Sequence, residues 1–178
     1  MVKISRAIFL DRDGVLVIPE FREGRSFAPR NLDDFRIYPG AAESARRLKE
    51  AGYTLVVVTN QPDVGNGLVD RSVVEKMHEK LLAAMPIDAI EVCYHTNADD
   101  CDCRKPKPGM LLRAAERMGL DCSRSLMVGD RWSDVEAAKA AGCKSVFIDL
   151  NYRDRRPEQP DFVVSSFTQA VELILSIS

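Results

Sequence analysis

Residues 93–109, CYHTNADDCDCRKPKPG, gather three of the chain's five cysteines and one of its two histidines, then run into a basic, proline-rich stretch. Cys93-x-His95-x5-Cys101-x-Cys103 offers three thiolates and an imidazole in two close pairs, the donor set of a tetrahedral zinc site. A disulfide is the rival reading, but a Cys-x-Cys pair leaves His95 without a role. With protein ligands at all four corners, no position remains for water or substrate. A zinc held this way is structural, and it would fix the residues that follow the last ligand, Arg104 and Lys105.

A second set of reactive types lies at the ends of apolar runs. The run AIFL (7–10) ends in Asp11-Arg12-Asp13-Gly14, and SLMVG (125–129) ends in Asp130, with Asp134 one helical turn further on. Carboxylates this close repel one another unless a cation or a proton lies among them. If those two runs are neighbouring strands, three carboxylates converge and a hard divalent ion such as Mg²⁺ is their natural companion. The run TLVVVT ends at Thr59-Asn60, whose hydroxyl and amide can donate to an anionic oxygen, and Lys105 supplies a cation just before a helix start. Any one of these is common on an ordinary surface. Together they place acid, hydroxyl, lysine and acid at successive strand ends.

The elements that must position them alternate. Strand patterns at 7–10, 54–59, 89–95, 125–129, 144–149 and 162–165 take turns with helical patterns at 41–52, 71–85, 109–119, 133–142 and 167–177. Near-continuous apolar runs such as TLVVVT suit parallel strands buried on both faces, so the pattern predicts an α/β open parallel sheet with helices on both sides. Gly52, Gly119 and Gly142 follow helical runs, where C-terminal caps belong. Ligands in such sheets bind at the carboxyl ends of the strands. Two segments break the alternation, 17–40 and 93–108, and both follow a strand end.

Length and charge bound the rest. The 178 residues fit a single domain, 46% hydrophobic and 29% charged, with net charge −2. That balance argues against broad attachment to nucleic acid or an anionic membrane. The N-terminal apolar stretch is too short for a signal peptide or a span, which points to the cytoplasm, where clustered cysteines serve metals more often than disulfides. Cys122 and Cys143, far from the cluster, read as small apolar residues.

Taken in order, FLDRDGV (9–15), VVVTN (56–60), Lys105 and VGDRWSD (128–134) resemble the four motifs of the haloacid dehalogenase superfamily of phosphohydrolases. The resemblance implies a Rossmann-like, nearly capless fold and a phosphomonoesterase. Asp11 would be the nucleophile and Asp13 the general acid and base. Thr59 and Lys105 would hold the phosphoryl oxygens. Mg²⁺ would sit on the Asp11 carboxylate, the Asp13 backbone carbonyl and Asp130, with Asp134 orienting the metal shell or Lys105 from outside. The form CxH…CxCRKPxPG is similar to a zinc-loop subgroup whose members act on heptose 1,7-bisphosphate or histidinol phosphate, and CDCRKPKPGMLL with VVVTNQ looks closest to the heptose side. Carried across by position, Arg104, Asn60, Gln61 and Arg131 would contact the substrate, a small phosphorylated metabolite and most readily a sugar bisphosphate. By the same analogy the chain would be a monomer.

The chain departs from that pattern in three places. Val15 stands where Thr is usual. Pro62-Asp63-Val64-Gly65-Asn66-Gly67 replaces Ser-Gly-Ile-Ala-Arg-Gly. The loop 17–40 is long and individual, and its Arg22, Arg25 and Arg30 are candidates for a second phosphate. A different class, a non-catalytic zinc-stabilised binding module on the same fold, competes. The intact Asp11, Asp13, Thr59, Lys105 and Asp130 argue against it.

Overall fold

The computed structural model describes residues 5–178. Its frame is six parallel strands: β1 Ala7–Leu10, β4 Thr54–Asn60, β5 Ala89–Cys93, β6 Leu126–Gly129, β7 Lys144–Ile148 and β8 Phe162–Val164, in the order β5-β4-β1-β6-β7-β8. From β1 the chain builds outward through β4 to β5, then crosses back to β6 and builds the other way. The order reverses beside β1, and such reversals open a crevice at the carboxyl edge. The registers Leu10 to Val57 and Leu10 to Val128 bring the ends of β1, β4 and β6 level.

Both faces are covered because the strands are apolar on both. Ile8, Leu10, Leu55 and Val57 point one way, into a core completed by α1 (Ala41–Glu50), α3 (Arg71–Ala84) and α6 (Phe167–Ser176). Ala7, Phe9, Val56 and Val58 point the other way, against α4 (Gly109–Met118) and α5 (Trp132–Ala141). Period-two packing on two faces turns the alternation of a half-buried strand into a continuous run. Gly119 and Gly142 close α4 and α5 in the left-handed conformation, φ +64 and +79. Cys143 is buried in the second core and Cys122 packs against it; no described cysteine is in a disulfide. Val15, 1% exposed, belongs to the first core, so the change from Thr is one of packing.

The irregular segments carry more structure than their sequence announces. Within 17–40 lies an antiparallel hairpin, β2 Glu20–Arg22 and β3 Arg25–Phe27, turned by Glu23-Gly24 with both residues at positive φ. Consecutive positive φ values match the right-handed twist of the strands they join. The departing stretch after Gln61 forms a single turn, α2 Pro62–Gly65, with proline in its first turn, where its missing N–H is harmless. A 3₁₀ turn, Cys122–Arg124, precedes β6. The third major strand ends at Cys93 rather than His95. The chain leaves the sheet there and brings His95 back towards Cys93 and Cys103.

Leu55 is fully buried at the start of β4, the end opposite the crevice. Leu55→Ala is expected to cost about 2–5 kcal/mol by urea unfolding, with the metal content of the folded protein unchanged.

Candidate active site

Asp11 leaves β1 with its N–H donating to Val128 O at 3.0 Å, so its carboxylate emerges beside the end of β6, where Asp130 follows. α5 begins two residues later and brings Asp134 underneath. Carboxylate oxygens of Asp11, Asp130 and Asp134 lie within 4.8 Å of one another. Asp134 comes this close because residue 129 is glycine: a Cβ there would stand 2.2 Å from the Asp134 side chain. Burial, then the neighbouring charges of Asp11 and Asp134, push the Asp130 carboxyl well above its usual range, and burial lifts Asp134 to about 6.

Lys105 answers part of that charge. Its Nζ sits 3.0 Å from Asp11 Oδ1 and 2.6 Å from Asp134 Oδ1, and it donates to Val58 O at 2.8 Å. Burial works against the ammonium, but the two carboxylates outweigh it and hold the pKa above the ordinary lysine value. The residue is only 4% exposed. One cation set against three carboxylates leaves charge for a further cation, and buried Asp130 Oδ1 has no partner among the described residues. All-oxygen donors suit a hard divalent ion, so Asp11 and Asp130 fit Mg²⁺.

Asp13 is held from beneath. Arg12, fully buried, approaches it with Nε 3.1 Å from both carboxylate oxygens and one terminal nitrogen at 3.0 Å, and its other terminal nitrogen donates to His78 Nε2 at 3.1 Å. Gln61 Nε2 donates to Asp13 Oδ2 at 2.8 Å and to Thr59 Oγ1 at 2.9 Å. Gln61 is thus 2% exposed and engaged as a brace, and Thr59 lies fully buried beside it rather than open on the cleft. Asn60 likewise pairs both ways with the Lys105 backbone, Nδ2 to its O and Oδ1 from its N–H, each at 3.1 Å. Asn60 and Gln61 both line the cleft, and their side-chain amides hold Lys105 and Asp13 there. Arg12 and His78 went unnoticed in the sequence. Arg12 stands inside DRDG, where it looks like a spacer, and a lone histidine in a helix carries no pattern.

The cleft above has a volume of about 920 Å³. Arg25, Arg104 and Arg131 line it; Arg22 and Arg30 do not. Among the described residues Arg104 bonds neutral partners, Asn97 Oδ1 and His95 O, and keeps its charge for the cleft. Arg131 is instead tied to Ser26 O and Oγ at 2.6 and 2.7 Å and to Asp154 Oδ2 at 2.8 Å. Arg30 pairs with Asp63 Oδ2 at 2.8 Å, joining the two segments that depart from the expected pattern.

Beside the cleft, Cys93, His95, Cys101 and Cys103 present their donor atoms as a cluster. Cys93 Sγ lies 3.5 Å from His95 Nδ1, 3.9 Å from Cys101 Sγ and 3.1 Å from Cys103 Sγ, and His95 Nδ1 lies 3.2 Å from Cys103 Sγ. A zinc–sulfur bond of about 2.3 Å in a tetrahedron sets its corners roughly 3.5–3.8 Å apart. Three thiols and an imidazole at this spacing fit zinc.

His78 generates a testable pH dependence. Burial, then the Arg12 guanidinium, lowers its pKa to about 4, so it is neutral in the fold. Between pH 6.5 and 4 the unfolded chain takes up a proton that the folded chain refuses. Its contribution is intact above pH 6.5 and shrinks by up to about 3 kcal/mol as pH falls towards 4. His78→Gln, which can still accept from Arg12, is expected to flatten that part of a stability–pH curve measured by denaturant unfolding.

Comparison with known proteins agrees with this geometry. Residues 25–142, more than half of the chain, match the model of the haloacid dehalogenase-like hydrolases. D-glycero-beta-D-manno-heptose-1,7-bisphosphate 7-phosphatase of Pseudomonas aeruginosa is 38% identical over 151 residues, 82% of each chain. The D-glycero-D-manno-heptose-1,7-bisphosphate 7-phosphatase of Thermosynechococcus vestitus is 33% identical over 94% of each. The crystal structure of D,D-heptose 1,7-bisphosphate phosphatase from B. bronchiseptica, complexed with magnesium and phosphate, superposes with a TM-score of 0.82 at 30% identity, covering 97% of this chain and 99% of that one. Matching motifs, fold and relatives place the chain in the haloacid dehalogenase-like hydrolase family, among its phosphatases.

Proposed function

We propose that the chain is a Mg²⁺-dependent phosphomonoesterase that removes the 7-phosphate of D-glycero-D-manno-heptose 1,7-bisphosphate. The observation that carries this reading is the ion group of Asp11, Lys105 and Asp134 at the reversal of the sheet, under a cleft large enough for a sugar bisphosphate. Residues 1–178 act in it as one domain, cytoplasmic and monomeric.

The chemistry follows from the positions. A phosphoryl group entering the cleft meets Asp11, which is fixed by Lys105 and by the Arg12 N–H donating to Oδ1 at 2.8 Å. Asp11 attacks phosphorus in line; the P–O bond to the sugar breaks, and Asp13 gives its proton to the departing oxygen. The aspartyl-phosphate is then opened by a water whose proton Asp13 takes, which restores both carboxyl groups. Lys105 faces the equatorial oxygens as charge builds. Thr59, whose hydroxyl oxygen accepts from Gln61, keeps its own proton to donate towards a phosphoryl oxygen. Mg²⁺, held by the Asp11 carboxylate, the Asp13 backbone carbonyl and Asp130, supplies charge that offsets repulsion between nucleophile and substrate. Zinc on Cys93, His95, Cys101 and Cys103 is structural.

Arg25 and Arg104, with no carboxylate partner among the described residues, favour a second anionic group over the cationic amine of histidinol phosphate. Arg131 contributes at the rim by holding the hairpin.

A kcat/KM comparison is expected to rank heptose 1,7-bisphosphate above histidinol phosphate; the reverse order would move the substrate assignment. Asp11→Asn is expected to abolish hydrolysis of an aryl phosphate while circular dichroism and zinc content stay unchanged, and surviving turnover would show that another group attacks. Elemental analysis is expected to find one zinc per chain. Stripping zinc is expected to lower the melting temperature, whereas withdrawing Mg²⁺ stops turnover and leaves the fold intact.

A further inference from the structure

The segment after β7 carries none of the motifs that point to the site, yet it reaches the site's most buried carboxylate. Tyr152 donates its hydroxyl to Asp130 Oδ2 at 2.7 Å, while Oδ1 of the same carboxylate is buried with no partner among the described residues. The two oxygens are thereby made unequal, one engaged and one left over. A Cβ on Gly14 would stand 2.1 Å from Asp130 Oδ2 and 3.0 Å from the Tyr152 hydroxyl, so tyrosine, carboxylate and the DRDG turn are in direct contact. No L side chain fits at residue 14, where φ is +92.

The ring that carries this hydroxyl is itself held. Phe21 of β2 packs on it with centroids 5.6 Å apart, and the Arg131 guanidinium lies 5.9 Å from its centre. Arg153 N–H donates to Gly24 O at 3.1 Å, and Asp154 accepts from Arg131 at 2.8 Å. The substrate-side hairpin and the carboxylate after β6 are thus joined through one short stretch, Tyr152 to Asp154.

We propose that Tyr152 is a positioning residue for the catalytic cation: its hydroxyl fixes the Asp130 carboxylate so that Oδ1 is the oxygen presented to Mg²⁺. This rests on the Mg²⁺-dependent reading above. A carboxylate that binds a metal through one oxygen keeps its orientation when a donor holds the other. Without the hydroxyl, Oδ2 is left buried and unpaired, and the carboxylate is free to turn.

The test is calorimetric titration of Mg²⁺ alone into the full zinc-loaded chain, wild type against Tyr152→Phe, which keeps the ring. The variant is expected to bind Mg²⁺ about tenfold more weakly, and to need about tenfold more Mg²⁺ for half-maximal turnover. Zinc content and the melting temperature without Mg²⁺ are expected to stay as in the wild type, and kcat at saturating Mg²⁺ to fall far less than the affinity. Phe21→Leu, which disturbs the ring contact but keeps the hydroxyl, is expected to leave Mg²⁺ affinity near the wild-type value. Equal affinity in Tyr152→Phe and wild type overturns the proposal and leaves the phosphatase reading standing. Equal losses in Tyr152→Phe and Phe21→Leu overturn it too, since the hydroxyl would then have no special part. A wild-type chain that hydrolyses phosphate esters yet binds no Mg²⁺ overturns the proposal together with the metal reading beneath it.

Discussion

A lysine ammonium buried between two carboxylates is the constraint on which the site turns. Asp11, Asp130 and Asp134 are drawn together by the adjacency of β1 and β6, and without compensation their mutual repulsion would force them apart or protonate them. Lys105 supplies one charge from within, with its third donor taken by Val58 O. A buried cation with all its bonds satisfied is fixed in direction as well as in charge. That direction leads to Asp11, the carboxylate of the pair that follows β1 into the cleft.

The rest of the crevice's near side serves to hold Lys105. Asn60, at the end of β4, grips its backbone from one side. On the other, the Cys and His cluster gathers the chain just before it, and Gly109 closes the loop onto Asp102 so tightly that a Cβ would meet the Asp102 carbonyl at 2.2 Å. A loop of this length tethered at both ends retains little freedom, and a zinc among the four donors removes most of the remainder. The cluster thus bears on Lys105 through position.

The far side is built differently. Hairpin β2–β3, the segment Tyr152 to Asp154 and Arg131 form one bonded unit above the carboxylates. Arg131 lines the cleft, and its guanidinium is also bonded to Ser26 and Asp154. Arg25 at the hairpin and Arg104 in the cysteine loop line the cleft with no carboxylate partner among the described residues.

Much of this was legible in the residues. Apolar runs buried on both faces announce parallel strands, glycines mark the helix ends, and the Cys and His spacing declares its own chemistry, because each is a local pattern set by backbone period or by donor type. Asp11, Asp13 and Asp130 were recognisable as strand-end groups, and Lys105 as a cation just before a helix start. What only the tertiary structure decided is which partner each polar side chain meets. Arg12 and His78 are 66 positions apart, and the Tyr152–Asp130 bond joins a turn after β7 to the end of β6. Gln61 and Asn60 line the cleft, but that they brace Asp13 and the Lys105 backbone is seen only in the folded chain. A side chain's hydrogen bonds are set by what the packing brings within about 3 Å, and no spacing along the chain encodes that meeting.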